Sequence, residues 1–154
     1  MEGRVVRKIL AVLGVTFIAA LPAVFVKILD VYKKPLIQSA GHYVDGLVPE
    51  LCTSWDQSIF LREASPEFKT RLENPVRWNK ISQLSQSLGR FQEYEGANGQ
   101  VFFSWFRDFH RAVIGQYHAK VRFQKGGSDF KVVVILRDGK WKLLYFGGWE
   151  KTSK

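Results

Sequence analysis

The stretch that decides the fold spans residues 116–146, QYHAKVRFQKGGSDFKVVVILRDGKWKLLYF. Residues 116–123 alternate between polar and apolar side chains, which predicts a half-buried antiparallel strand. Phe130–Leu136 and Lys140–Phe146 are predicted as two further strands, joined by the tight-turn pair Asp138-Gly139. This part of the chain is therefore expected to form an antiparallel sheet.

Two neighbouring segments extend the predicted sheet. Lys125–Asp129 is expected to be the hairpin connection after the first strand, and Arg90–Tyr94 is expected to add another strand. Before residue 90 the apolar spacing changes from two to about 3.6 residues, which is typical of amphipathic helices. The order of helices and then strands predicts an α+β fold of about three helices packed on a curved antiparallel sheet.

The helical half carries its own start and stop signals. Pro35–Leu51 is predicted as the first helix, and Thr53-Ser54 is expected to cap the second. Ser65-Pro66 and Asn74-Pro75 each put a capping residue before a proline at the first helical position, and Gly89 is expected to end the last helix. From Pro75 onward the apolar residues are expected to form one inward stripe.

A long apolar run precedes this domain. Ile9–Val26 has 18 uncharged residues, which as a helix span roughly 27 Å, close to the thickness of a bilayer core. A retained single-pass anchor is favoured over a cleaved signal peptide, whose apolar region is shorter, and over a buried soluble helix. Residues 1–34 are thus expected to form a short cytoplasmic tail and anchor, and residues 35–154 one domain.

The charges beside the apolar run bear on orientation. Arg4, Arg7 and Lys8 precede it, while Lys27, Lys33 and Lys34 follow, so the positive-inside count is nearly balanced. The short N-terminal tail favours a cytoplasmic N-terminus and a domain on the far side of the membrane. In a bacterium this predicts an inner-membrane protein with a periplasmic domain.

The order of elements, together with several short motifs, resembles the NTF2-like superfamily. The motifs are Trp55-Asp56, residues 64–69 (ASPEFK), Trp78, Leu88-Gly89, and the last-strand ending of residues 139–143 (GKWKL). The resemblance covers roughly residues 36–149 and is closest to small exported bacterial families of uncharacterised function. It implies a cone in which helices pack over a bent sheet and enclose a pocket. The topology is also similar to the inner-membrane assembly factor of type IV secretion systems.

A cone-pocket enzyme needs a general base that points into the pocket. The residues of the helical half that are candidates for such a pocket are His42, Tyr43, Asp45 and Asp56. Asp56 is also a candidate for the first turn of a helix, and no spacing among the four is diagnostic of catalysis. An isomerase, a dehydratase or a small-molecule-binding protein stays open as the alternative function.

Cofactor and metal motifs are not found in the sequence. It has no phosphate-binding loop and no dinucleotide fingerprint, and Asp108, His110 and His118 lack the close pairs of a metal site. No cofactor, no metal and no nucleic-acid partner are therefore expected.

Part of the positive charge of the chain falls on or near the predicted strands. Residues 35–154 hold 17 basic and 12 acidic side chains, a net charge of +5. The basic residues on or near the predicted strands are Lys120, Arg122, Lys131, Arg137, Lys140 and Lys142. A solvated sheet face is the simpler interpretation, and a surface for anionic lipid or an acidic partner is the other.

One aromatic segment departs from the pattern of the resembled families. Residues 102–109 contain five aromatic side chains: Phe102, Phe103, Trp105, Phe106 and Phe109. Either the segment is a buried strand or helix, or it is a docking surface for a membrane-protein partner or for the bilayer interface.

Together, an anchor and a domain without catalytic motifs predict a membrane-anchored accessory or assembly subunit of a larger membrane protein complex. Residues 9–26 are expected to contact the lipid bilayer, and a homodimer is a further possibility.

Overall fold

The computed structural model of this chain describes residues 33–105 and 111–148. The predicted anchor at residues 9–26 lies outside the described residues. Within the described part, none of the helices combines the length and the apolar character that crossing a membrane requires. From Ile37 onward the chain forms one compact unit.

Within residues 33–105 and 111–148, four helices are followed by four strands, and this confirms the predicted α+β class. The helices are α1 (residues 33–54), α2 (Gln57–Glu63), α3 (Pro66–Leu72) and α4 (Pro75–Leu88). The strands are β1 (Phe91–Trp105), β2 (Arg111–Phe123), β3 (Gly126–Arg137) and β4 (Lys140–Gly148). They form a single antiparallel sheet in the order β1-β2-β3-β4.

The helix caps agree with the sequence at three of four places. Ser65 and Asn74 cap α3 and α4 with prolines in the first turn, and Gly89 ends α4 at φ 77°. The predicted cap at Thr53-Ser54 is wrong, because α1 continues through both residues. Trp55 at φ 49° breaks the helix instead, and Asp56 caps α2.

The hairpins also differ in one place from the prediction. Asp138 and Gly139 form the expected tight turn at φ 50° and 73°, the conformation that two-residue hairpins require. The predicted hairpin connection is present, but it is shorter than Lys125–Asp129. The turn occupies residues 124 and 125, because strand pairing continues up to Phe123 and Gly126. The glycine-rich residues are thus the start of β3 and not a loop.

β1 is much longer than the predicted Arg90–Tyr94. It runs through two register irregularities, the second next to Gly96 at φ 107°. At Gly99 an added Cβ would lie 2.4 Å from the ring of Tyr117. A side chain cannot fit there, so this position admits the ring of Tyr117 close to the β1 backbone.

The core lies between α1 and one face of the sheet. The fully buried residues of α1 recur at helical spacing: Ala40, Val44, Val48 and Leu51. Tyr117, Val132 and Phe146 are paired in register across three strands and are also buried. Since side chains alternate along a strand, the residues between them belong to the opposite face.

Candidate functional site

Aromatic rings pack against one another between the helices and the sheet. The ring centroid of Trp55 lies 6.1–6.3 Å from those of Phe123, Phe130 and Phe146. Phe130 and Phe146 stack at 4.9 Å, and Phe60 meets Phe146 edge-on at 5.5 Å. The five rings therefore form one connected aromatic cluster between the helices and the sheet.

One polar atom of this aromatic core has no partner. The indole Nε1 of Trp55 is buried and makes no hydrogen bond within the described residues. A buried donor without an acceptor destabilises a fold by about 1–3 kcal/mol. Trp55 also holds a left-handed backbone conformation, so two unfavourable features meet at the residue that ends α1.

Tyr43, a predicted pocket residue, ties α1 to α2. Its hydroxyl donates to Glu63 at 3.1 Å, and burial and the negative charge of Glu63 raise the pKa of Tyr43. Burial alone would raise the pKa of Glu63, but the hydrogen bonds from Arg62 and Tyr43 lower it below its ordinary value. The contact is a structural link between two helices.

Asp45 faces a different neighbour. Its carboxylate accepts a hydrogen bond from Tyr94 of β1 at 2.5 Å, and burial and this hydrogen bond raise the pKa of Tyr94. His42 is exposed on α1. Asp45 thus binds the sheet while Tyr43 binds α2.

Asp56 acts as a helix cap. Its carboxylate accepts from the backbone N–H of Ser58 at 2.8 Å, and this hydrogen bond lowers the pKa of Asp56. Among the four predicted pocket residues, three have different partners and His42 is exposed. The structure does not bring them together around a common space.

The six predicted basic residues all lie on strands β2, β3 and β4. Several are already engaged. Arg122 forms ion pairs with Glu93 and Glu95, Arg137 pairs with Glu67, and Lys142 donates to the Arg62 carbonyl.

Lys120 lines a hollow of about 230 Å³ together with Glu95 and Asp129. Lys131 and Lys140 have no ion pair within the described residues. Acidic side chains therefore offset much of this surface, and its net positive charge is smaller than the sequence suggests.

The predicted aromatic docking segment is described only in part. Phe102 and Phe103 are 43% and 40% exposed, at the far end of edge strand β1. They pair with Ile114 and Val113 of β2, so they belong to opposite faces of the sheet. The buried interpretation is therefore wrong for these two residues. The backbone of Trp105 pairs with Arg111, while Phe106 and Phe109 lie outside the described residues.

The sequence did not predict a groove between α4 and β4. It has a volume of about 430 Å³. Its lining includes Phe68, Leu72, Ile81, Leu84, Tyr145 and Phe146, with Arg77 and Lys80 from α4. Val76 in the first turn of α4 also lines it and is 64% exposed. The predicted inward stripe of α4 is thus only partly covered, and no residue of α4 is fully buried.

A weak signal for this groove was present in the sequence. Arg77 and Lys80 flank the apolar stripe at Val76, Ile81 and Leu84, and basic residues at such positions are typical of an exposed edge. The distance of α4 from the sheet, however, depends on α2 and α3, and no local pattern records it.

No group of three or more potential metal ligands occurs within residues 33–105 and 111–148. Comparisons of the chain with protein-family models, with curated proteins and with solved structures find no match.

Proposed function

We propose that this chain is a membrane-anchored accessory or assembly subunit of a larger membrane protein complex. Its domain, residues 35–154, docks on partner subunits through apolar surface on the outside of the fold. The observation that carries the proposal is the contrast between the clustered aromatic rings of the interior and two exposed phenylalanines at the end of β1.

The NTF2-like assignment is part of this proposal. In the described part of the chain, four helices precede one four-stranded antiparallel sheet, and the long strands β1, β2 and β3 support a cone-type arrangement with a bent sheet. Many unrelated functions use this type of fold, so the fold by itself does not select one. The function rests on the surface and on the proposed anchor.

The anchor is residues 9–26, whose 18 uncharged residues match the thickness of a bilayer core. The proposed arrangement has the N-terminus in the cytoplasm and the domain in the periplasm of a bacterium. A tethered domain meets partners in the same membrane at high effective concentration. Weak individual contacts are then sufficient for assembly.

The docking surface centres on Phe102 and Phe103. Aromatic side chains are enriched in the buried centres of protein interfaces. Because these two belong to opposite faces of the sheet, the end of the β1–β2 hairpin carries apolar surface on both sides. A partner that surrounds this end would bury both rings.

The alternative, a small-molecule binder or a cone-pocket enzyme, lacks a specific observation in its favour. It requires a carboxylate or histidine buried in the interior. Among the described residues, Asp45 and His42 are exposed, and Asp56 is a helix cap. The aromatic interior favours docking over catalysis.

Photo-crosslinking in native membranes tests the proposal. The photoreactive residue p-benzoylphenylalanine replaces Phe103 in the full chain, and in a matched control it replaces Ile37, an exposed apolar residue of α1. We expect a discrete larger adduct from position 103 and none from position 37. Alkaline carbonate extraction should leave the protein in the membrane fraction.

Two results would count against the proposal. Release of the protein by carbonate would show that residues 9–26 do not anchor it in the membrane. A lone monomer without an adduct would show that Phe103 does not lie in a docking surface. An adduct of twice the chain mass would identify a homodimer instead of a complex with another subunit.

A further inference from the structure

The groove between α4 and β4 combines an apolar floor with an unpaired basic rim. Phe68, Leu72 and Phe146 are nearly fully buried and form the floor. Arg77 and Lys80 line the same groove, and neither forms an ion pair within the described residues. Among the six basic residues of the sheet, in contrast, Arg122 and Arg137 are paired with carboxylates.

The same groove exposes part of a strand edge. Ala64 bridges to Leu143, and the N–H of Ser65 donates to the Leu143 carbonyl at 2.7 Å. Beyond that point, residues 145–148 of β4 pair with β3 on one side and have no strand neighbour on the other within the described residues. Backbone donors and acceptors are therefore available beside the apolar floor.

The apolar stripe of α4 shows that this part of the fold is incompletely covered. Trp78 packs edge-on against Phe60 at 5.6 Å, which holds α4 to α2 on one side. On the other side Val76 is 64% exposed. A large apolar side chain placed in the groove would cover surface that the domain's own elements leave open.

From these contacts we infer that the groove binds a short acidic peptide segment of a partner protein. Its apolar side chains enter the floor, its backbone lies along the free edge of β4, and its carboxylates meet Arg77 and Lys80. Strand addition supplies affinity in such complexes, and side-chain pockets and charge supply specificity.

The inference is independent of the proposed function. The groove lies at β4 and the exposed phenylalanines lie on β1, and these are the two edge strands of the sheet. Failure at one surface therefore leaves the other testable. Loss of the membrane anchor would not affect binding at the groove.

Fluorescence anisotropy with the full chain in nanodiscs of neutral lipid tests the inference. The probes are three labelled peptides of equal length, one rich in Glu, Leu and Phe, one rich in Lys, Leu and Phe, and one rich in Glu and Ser. We expect the first to bind at least about tenfold more tightly than the other two, and more weakly at high salt.

Matched variants locate the site. Arg77→Ala with Lys80→Ala should weaken binding of the first peptide about tenfold. Lys69→Ala with Arg71→Ala removes the same charge from α3 at residues that do not line the groove, and should leave binding unchanged. Val76→Asp should also weaken binding. Because Val76 is largely exposed, circular dichroism should be unaltered.

Several outcomes would overturn the inference. They are equal effects of the two double substitutions, equal binding of the acidic and basic apolar peptides, or no binding of the acidic apolar peptide. Binding only after removal of residues 149–154 would assign the groove to the chain's own terminus. Binding of vesicles that contain anionic lipid, without binding of the peptide, would assign it to a membrane surface.

Discussion

Helices α1 and α4 have similar amphipathic patterns but occupy very different positions in the fold. The apolar stripe of α1 is fully buried at Ala40, Val44, Val48 and Leu51. No residue of α4 is fully buried, and Val76 is mostly exposed. A helical pattern therefore predicts which face is apolar, but not how completely that face is covered.

Hydrogen bonds from the sheet mark the same difference. Tyr94 of β1, Tyr117 of β2 and Trp141 of β4 each donate to α1, at 2.5, 3.0 and 3.0 Å. α4 accepts two hydrogen bonds from the exposed Lys125, one from Nζ to the Gln86 carbonyl at 3.0 Å and one from the backbone N–H to the Leu88 carbonyl at 3.1 Å. Three strands thus donate hydrogen bonds to α1, which lies at the centre of the core. Among the described residues, the bonds from the sheet side to α4 come from one residue, Lys125, so α4 is attached at fewer places.

The largest difference between the helices is expected in thiol reactivity. Burial raises the pKa of Cys52 on α1 to about 12, so the reactive thiolate is scarce at pH 8. Gln83 of α4 is exposed. In a Gln83→Cys variant, we expect Cys52 to react about a thousandfold more slowly than the introduced thiol.

Peptide mapping after alkylation measures both sites in one sample. In denaturant, Cys52 should react at the rate of the introduced thiol, which serves as the control. Equal rates in the folded protein would mean that the buried face of α1 opens readily, and the contrast between the helices would fail.

Two leucine-to-alanine substitutions compare the burial of α1 and α4 through their effects on the free energy of unfolding. Leu51→Ala leaves a cavity under α1 and should lower the free energy of unfolding by about 3 kcal/mol. Leu84→Ala, at a half-buried position beside the groove, should lower it by about 1 kcal/mol. Denaturant unfolding followed by tryptophan fluorescence gives both values, and equal losses would contradict the difference in burial.

The hydrogen bonds to α1 predict a smaller effect. Tyr94→Phe removes the donor to Asp45 and should lower the free energy of unfolding by about 1 kcal/mol. Tyr145→Phe is the matched control, because the Tyr145 hydroxyl has no hydrogen bond within the described residues. A loss of stability in the control as large as that in Tyr94→Phe would show that the hydroxyl contact to α1 is unimportant.

The smallest effect concerns acid stability at the link between α1 and α2. The pKa of Glu63 is lowered from its ordinary 4.5, so its contribution is present above about pH 5 and is lost as the pH falls through the folded value. Glu63→Gln should flatten this part of the stability profile by less than about 1 kcal/mol, since the ion pair with Arg62 is partly solvated.

The midpoint of denaturant unfolding, measured at several pH values between 6 and 3, shows how much stability the protein loses in acid. Glu73→Gln is the control, since Glu73 has no ion pair within the described residues. If Glu63→Gln loses as much stability in acid as the unsubstituted protein, the contact of Glu63 with Tyr43 and Arg62 has no stabilising role.

Local chemistry made much of the fold predictable. The caps at Ser65 and Asn74, the stop at Gly89 and the turn at Asp138-Gly139 all depend on side chains or backbone angles within a few residues. The error in the bounds of the connection at Lys125–Asp129 has an equally local origin, because its glycines suggest a loop. Pairing with β2 instead extends the strand through them, and Gly126 and Gly127 pair with Phe123 and Arg122 across a two-residue turn.

The candidate site was less predictable than the fold. Asp45 and Tyr43 are polar residues of α1 that suggested a pocket, but both make hydrogen bonds to other elements. Each of those partners is 20 or more residues away, so the sequence contains no local trace of the pairing. The α4 groove went unpredicted for a similar reason, since its two walls come from different parts of the chain.

The sequence by itself determined the α+β class, the hairpin turn at Asp138-Gly139 and most helix ends, because these depend on periodicity and on short-range backbone preferences. Only the tertiary structure decided the full length and pairing of β1, the clustering of aromatic rings in the interior, the exposure of Phe102 and Phe103, and the groove beside α4. These features depend on the distance between elements, which is set by the combined volume and hydrogen bonding of side chains from all of them.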